Sequence, residues 1–418
     1  MKSKRIVCVL MVFILTAGMW GCKGKNEKEN VTASAPTISS TEKYEINLYY
    51  YDNADWAYFN AALESFNKDY PNITVNLKYT DASNYIEKLV NNNNDNVADV
   101  YVLQSKDIEK AYLAGIARVN SEGIYSEKGV FPQRALDDST YKDKLLGYPL
   151  YFNTQVMLYN NTFGLGIPTT FDELKEMSNN IEVSEGKVLE NILTWNLDDM
   201  RLNYLFMGGS ADIAGKYGDD KNKFSISSQA VNDNLTYFKE LTRFYNITRT
   251  NVTADTVTAS FAAGRTIFAL VNSDDIKNIS SSISANQETA FEYKIENVPD
   301  ISKGNKTAAL SDTTVLMVNP YSKNPAVASL VAKYMSYDAA ELIYENIGSF
   351  SARKMKDVHG VDCSAVYSMY EASDVRIKLM DVGDFYVKLD IAFHNICDDG
   401  NIAAITASLQ DYITKQFK

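Results

Sequence analysis

At 418 residues, with 45% hydrophobic and 22% charged residues, the chain has the composition of an ordinary globular protein and is too long for one core, so two domains are expected. The formal charge of −12 becomes −15 once Lys2, Lys4 and Arg5 leave with the N-terminal segment described below, and such a surface repels phosphate backbones, which argues against a nucleic-acid partner. The two histidines, His359 and His394, have no Cys or His at metal-ligand spacing, so neither a metal nor another cofactor is expected.

The N-terminus carries the most specific local signal. Lys2, Lys4 and Arg5 precede an apolar run from Ile6 to Ala17 and then Gly18-Met-Trp-Gly-Cys22, the layout of a secretory leader whose apolar run is too short to span a bilayer. The Gly21-Cys22 junction resembles a bacterial lipobox, with Met19 and Trp20 standing where leucine and a small residue are usual. That resemblance implies a signal peptide over 1–21 and lipidation of Cys22 as the first mature residue. Residues 22–42 are rich in Lys, Glu, Asn, Ser and Thr, cannot bury a core, and read as a flexible tether. The diacylglycerol of a processed lipoprotein would hold the chain at the outer face of the membrane. Cys8 leaves with the leader; Cys363 and Cys397 remain, their pairing open, with a structural role either way because no histidine is placed to activate a thiolate.

From Tyr44 the apolar pattern is regular. Ile46, Leu48 and Tyr50 alternate as in a strand, and Phe59, Leu63 and Phe66 recur at helical spacing until Pro71. Ile73 to Tyr79 alternates again, Tyr85 to Val90 suggests a second helix, and Val97 to Leu103 is a nearly continuous apolar strand. This βαβαβ order predicts an α/β fold with a mostly parallel sheet. A helix from Ser105 stops at Gly115, suited to a left-handed cap. Gly147–Tyr159 reads as one long extended stretch, and Thr170 with Glu173 as a capping box. Helices are expected around Met200–Met207, Ser228–Tyr245, Val257–Ala263 and Pro325–Ser336, and strands at Thr266–Val271 and Thr313–Val318.

Four segments are spread in order along essentially the whole mature chain: Trp56-Ala-Tyr-Phe-Asn through Pro71-Asn-Ile-Thr-Val; Gly147-Tyr-Pro-Leu-Tyr-Phe-Asn-Thr with Pro168-Thr-Thr-Phe-Asp-Glu-Leu; Phe261-Ala-Ala-Gly-Arg-Thr-Ile-Phe; and Ser322-Lys-Asn-Pro-Ala-Val-Ala. Together they resemble the extracellular solute-binding proteins of ABC importers, of the maltose-binding-like, sugar-associated family. The segment Gly348-Ser-Phe-Ser-Ala-Arg departs from that family's pattern in carrying Ser351 in place of proline. The resemblance implies a type II periplasmic-binding-protein-like fold: two α/β lobes, a multi-strand hinge and a ligand cleft between them. Lobe one is expected over 43–151 plus 268–317 and lobe two over 152–267 plus 318–418, with crossings near Phe152, Thr266 and Val318. It also implies a monomer that hands its ligand to an ABC permease, with a membrane contact only through the lipid.

Open α/β sheets bind ligands outside the carboxyl ends of their strands. A sugar there needs aromatic faces for its C–H surfaces and carboxylates or amides for its hydroxyls. Tyr51, Asp52 and Trp56 at the end of the first strand fit, as does Gln104 after the third; Tyr50 continues the Ile46/Leu48 face and is assigned to the core. Tyr151 and Asn153 share a face that borders the cleft, Trp195 is a candidate second aromatic platform, and Asn272, Asp274, Ser311, Asp312 and Ser349 complete the set. Few arginines, the usual clamps for phosphate and carboxylate, point to a neutral or cationic ligand. A secreted glycosidase would need two carboxyls facing one another about 5–10 Å apart. No motif marks such a pair, and no Gly-x-Ser-x-Gly, Walker A or His-Glu-x-x-His sequence occurs. A receptor that feeds a sensor kinase would use the same fold.

Overall fold

The computed structural model describes residues 38–417 apart from 92–95, 184 and 286–289; the leader, Cys22 and the tether up to residue 37 lie outside the described residues. Alternation buries Ile46, Leu48 and Tyr50 in β1 (Tyr44–Tyr50). α1 (Asp55–Asp69) buries Tyr58, Phe59, Ala62, Leu63 and Phe66 along one stripe and stops before Pro71, which lacks a donor N–H. β2 (Ile73–Tyr79), α2 (Tyr85–Asn91) and β3 (Val100–Gln104) follow, and both strands run parallel to β1, so the expected βαβαβ unit is present. One 3₁₀ turn leads into α3 (Ile108–Leu113), and Gly115 takes the left-handed conformation at φ 76° that a side chain would disfavour.

After α4 (Gln133–Asp138) the stretch expected to be continuous is two strands. β4 (Gly147–Asn153) joins the first sheet and β5 (Gln155–Asn160) a second one, with Thr154 as the single residue between them. α5 (Phe171–Ser178) begins where Thr170 Oγ1 accepts the Glu173 N–H at 3.1 Å. Glu173 Oε2 accepts from the Thr169 N–H at 2.7 Å, so the reciprocal half of the expected box is displaced by one residue. β6 (Asn191–Thr194), α6 (Met200–Gly208), α7 (Gln229–Phe244), α8 (Ala254–Ala262), β7 (Thr266–Asn272), α9 (Ile276–Ala285) and β8 (Tyr293–Glu296) build the second half. Its sheet has the order β8-β5-β7-β6, in which β5 is antiparallel to β7 and β8, and β6 is parallel to β7.

β9 (Leu310–Val318) returns to the first sheet and lies between β3 and β4, antiparallel to both. With β10 (Phe350–Ser351) and β11 (Asp374–Val375) the larger sheet reads β10-β4-β9-β3-β1-β2, β11 pairing with the start of β9. The sheet is therefore mixed: its βαβαβ half is parallel, and the strands that return from the other sheet run against it. α10 (Pro325–Lys333) packs on β9 and β3, and α11 (Leu342–Ile347) on α1. α12 (Ser364–Glu371) lies on β5 and β8, and α13 (Phe385–Cys397) and α14 (Ile402–Gln416) pack with α6 and α7.

This pairing moves the boundaries. Thr266–Asn272 has partners in the smaller sheet on both sides, and Val318 ends a strand inside the larger one. The crossings therefore sit at Thr154, ahead of Leu310, and in the stretch after Ser351, rather than near Thr266 and Val318. Residues 325–351 stay with the larger sheet for the same reason. Cys363 and Cys397 are both free thiols, which burial raises to about 12 and about 11.

The close approach of α6 to the loop before β9 is testable. A Cβ on Gly209 would lie 2.0 Å from the Lys306 carbonyl oxygen. Gly209→Ala is expected to destabilise the fold by about 1–3 kcal/mol, the usual cost of overpacking, in urea unfolding followed by circular dichroism.

Candidate functional site

The strand ends of the two sheets meet in a seam of polar side chains. Gln155 Oε1 accepts the Leu310 N–H at 2.9 Å, and Gln155 Nε2 donates to Asn272 Oδ1 at 3.1 Å. Asn272 Nδ2 donates to Asp199 Oδ2 at 2.6 Å, and Asp199 pairs with Arg201 at 3.3 Å. Arg201 reaches Asp312 at 3.9 Å, and Arg376 Nη1 lies 3.4 Å from both Asp312 oxygens. The Arg376 guanidinium stacks 4.2 Å above the Tyr386 ring, whose hydroxyl accepts the Ile377 N–H at 2.7 Å. Beside this chain, Thr154 N–H donates to Ser273 Oγ at 3.1 Å, Ser311 Oγ donates to Thr154 Oγ1 at 3.0 Å, and Asn153 Nδ2 donates to Asp274 Oδ2 at 2.6 Å.

The larger sheet contributes a second group of residues at the end of β1. Asp52 is exposed, and its Oδ1 accepts the Ala54 N–H at 2.9 Å as the chain turns into α1. Asp55, in the first turn, is only 2% exposed; one carboxyl oxygen accepts from Tyr151 Oη at 2.7 Å and the other, Oδ2, is buried without a partner. Burial raises this carboxyl to about 7, the Tyr151 hydrogen bond opposes the rise, and the Asp52 charge adds to it. Tyr51 packs edge-on against Tyr85 with ring centroids 4.9 Å apart. Burial raises its phenol strongly, with Asp55, Asp107, Asp52 and Asp312 adding to the rise, so it stays neutral beside these carboxylates.

The sequence pattern of the bacterial extracellular solute-binding proteins matches residues 61–355, about 70% of the chain. The chain belongs to that family. No curated protein matches it in sequence. An extracellular solute-binding protein from Staphylococcus aureus in complex with maltose has a similar structure, with a TM-score of 0.73 at 16% identity over 89% of this chain and 97% of that one. A maltose-binding periplasmic protein from Listeria monocytogenes, also with maltose, gives 0.70 at 16% identity over 90% and 99%. The maltose-maltodextrin binding protein of Alicyclobacillus acidocaldarius gives 0.67 at 11% identity over 88% and 99%. The fold is that of the type II periplasmic binding proteins, and the family is one of extracellular binding proteins.

In this solute-binding protein the sequence-derived residues fall into three groups. Tyr51, Asp52, Tyr151, Asn153, Asn272, Asp274, Ser311 and Asp312 gather at the seam or at the end of β1, as the strand-end argument requires. Phe152 points away from Tyr151 and Asn153 and stacks on Tyr370 at 3.8 Å, as alternation demands. Trp56 is 52% exposed on the first turn of α1, and Gln104 is half-buried opposite Thr314. Ser349 follows Gly348, which lies against Lys277 and close to the Asp274 carbonyl, at the edge of the site. Ser351 is buried, and its Oγ accepts the Arg353 N–H at 3.0 Å, a contact that fixes the loop without proline.

Trp195 is corrected. It is fully buried, donates from Nε1 to Asn203 Oδ1 at 3.1 Å, and packs with Phe206 and Phe238, so it is core and not a ligand platform. The reading from sequence also missed Asp55, Asp199, Arg201 and Arg376. Asp199 was legible as an N-cap, since it accepts the Arg201 N–H at 2.9 Å; nothing local marks Arg376, whose partners come from far along the chain. A cavity of about 850 Å³ along the free edge of β8, lined in part by Phe291, Glu296, His359 and Asp362, lies away from these strand ends.

Both carboxylates can be tested by amide substitution. Asp312→Asn leaves two guanidiniums short of their shared counter-ion and is expected to cost about 2 kcal/mol, the scale of a hydrogen bond to a charged group, in urea unfolding. The native state keeps the Asp55 proton up to about pH 7, whereas the unfolded chain releases it at about 3.9. Between those values the folded state binds more protons, so stability falls as pH rises through this window. Asp55→Asn is expected to shallow that fall, with Asp138 and Asp374, each raised to about 6 by burial, retaining part of it; equal slopes for both proteins would contradict this.

Proposed function

We propose that this protein captures a mono- or oligosaccharide between its two sheet-bearing lobes and delivers it, unaltered, to an ABC permease. The observation that carries the reading is the seam itself: strand ends from both sheets bring amides, carboxylates and two arginines into one place, with Tyr51 at the end of β1 and Trp56 on the first turn of α1. Rotation about Thr154 and the crossing ahead of Leu310 would open and close the lobes, the hinge motion by which such receptors trap a ligand. The maltose complexes of its structural relatives support a sugar. Membership of an extracellular family supports export, and the leader ending at Cys22 supports attachment to the outer face of the membrane through lipid.

A thermal-shift screen against mono- and oligosaccharides tests the ligand class, because a ligand at 100 times its Kd adds about 2.7 kcal/mol of stability. Tyr51→Ala and Asp52→Ala are expected to weaken the hit without unfolding the protein, and unchanged affinity in both would remove the site assignment. Incubation with glycosides is expected to give no product; turnover surviving repurification would make the protein an enzyme. Cys22→Ser is expected to shift the protein from the membrane fraction to the medium, read by fractionation and immunoblot.

A further inference from the structure

The surroundings of Asp55 are unusual for a buried carboxyl. The titratable groups that sense it are Tyr50 and Tyr51 of β1, Tyr58 of its own helix, Tyr85 of α2 and Tyr151 of β4, and the charge that acts on it is Asp52. Among these described residues there is no cation. Elsewhere at the seam Asp199 and Asp312 are paired with Arg201 and Arg376, and Asp274 accepts from the Asn153 amide. Asp55 instead has one oxygen that is buried and unpartnered, while the other accepts from the Tyr151 phenol. Asp107, on the turn after β3, adds a further carboxylate to the surroundings of Tyr51, but it is itself offset by Lys106, Lys110 and Arg376.

A carboxyl without a counter-ion beside phenol side chains is the chemistry that recognises an ammonium group: an aromatic ring attracts the cation and the carboxylate neutralises it. A wholly neutral sugar leaves the missing charge unmet. We propose that the unpartnered Asp55 carboxyl oxygen takes the ammonium group of a cationic ligand as its counter-ion, with Tyr51 as the neighbouring aromatic ring. This rests on the reading of the strand-end site as the ligand site, and it narrows the ligand to one that carries a basic nitrogen. Such a group occurs on an amino sugar or on an acyclic polyamine.

The burial that holds Asp55 near neutrality gives the binding a pH signature. Below about pH 7 the carboxyl must lose its proton before it can pair, so affinity for a cation of constant charge is expected to fall, approaching tenfold per pH unit.

Four probes are compared by calorimetry on the purified protein: the β-1,4 dimer of glucosamine, its N,N′-diacetylated counterpart, maltose and spermidine. The expected result is binding of the glucosamine dimer or spermidine at least about tenfold tighter than that of the neutral sugars, which is about 1.4 kcal/mol. Asp55→Asn is expected to abolish the preference, and Tyr51→Leu to weaken it. The apo unfolding curve of Asp55→Asn checks that the fold is intact. Equal affinity for glucosamine dimer and its acetylated form, with spermidine silent, overturns the ammonium proposal and leaves the saccharide reading standing. Tight spermidine binding with all three sugars silent upholds the ammonium site and removes the saccharide. Silence of all four overturns both.

Discussion

The two halves of this protein are joined by an unbroken run of hydrogen bonds and ion pairs from the Leu310 amide through Gln155, Asn272, Asp199 and Arg201 to Asp312 and Arg376. The run is possible because two chain crossings, at Thr154 and just before Leu310, lie side by side. Gln155 and Asn272 are buried, so their amide groups must find partners inside the protein, and each does so in the other. The geometry of the site is thus set by the same bonds that set the relation of the sheets. These side chains are held in place by their own hydrogen bonds.

Charge is distributed unevenly along that junction. Asp199 and Asp312 are paired with the two arginines; burial presses the guanidiniums down, yet Asp199 beside Arg201 and Asp312 beside Arg376 carry both above their ordinary value. At the end of β1, phenols take the place of cations. The junction thus holds paired charge around Arg201 and Arg376 and an unpaired carboxyl at Asp55.

The elements with a strong period were legible in the sequence. The βαβαβ unit from Tyr44 to Gln104, the helices around Met200 and Ser228 and the Gly115 cap follow from alternation, helical spacing and turn chemistry, all local properties. The continuous reading of 147–159 failed because β4 and β5 have the same extended character and only their partners differ; Thr154 carries no sign that the chain changes sheets. The same blindness to partners misplaced Thr266–Asn272, as apolar in one sheet as it would be in the other. Trp195 looked like a platform because an exposed and a buried tryptophan are written alike. Only Asn203, whose own amide donates to the Leu197 carbonyl while its oxygen accepts from the indole, reveals that ring as satisfied in the core. The polar residues at the strand ends could be placed from sequence; Asp55, in the first turn of a helix, and Arg376, beyond β11, could not, because their partners are distant in sequence.

The two thiols of the folded part have a practical consequence. Cys363 is buried, Cys397 partly so, neither is bonded to another sulfur, and burial holds both protons on well above neutral pH. Thiolate attack is what drives sulfur scrambling. Among the described residues, then, no sulfur–sulfur bond has to form for the fold to be reached.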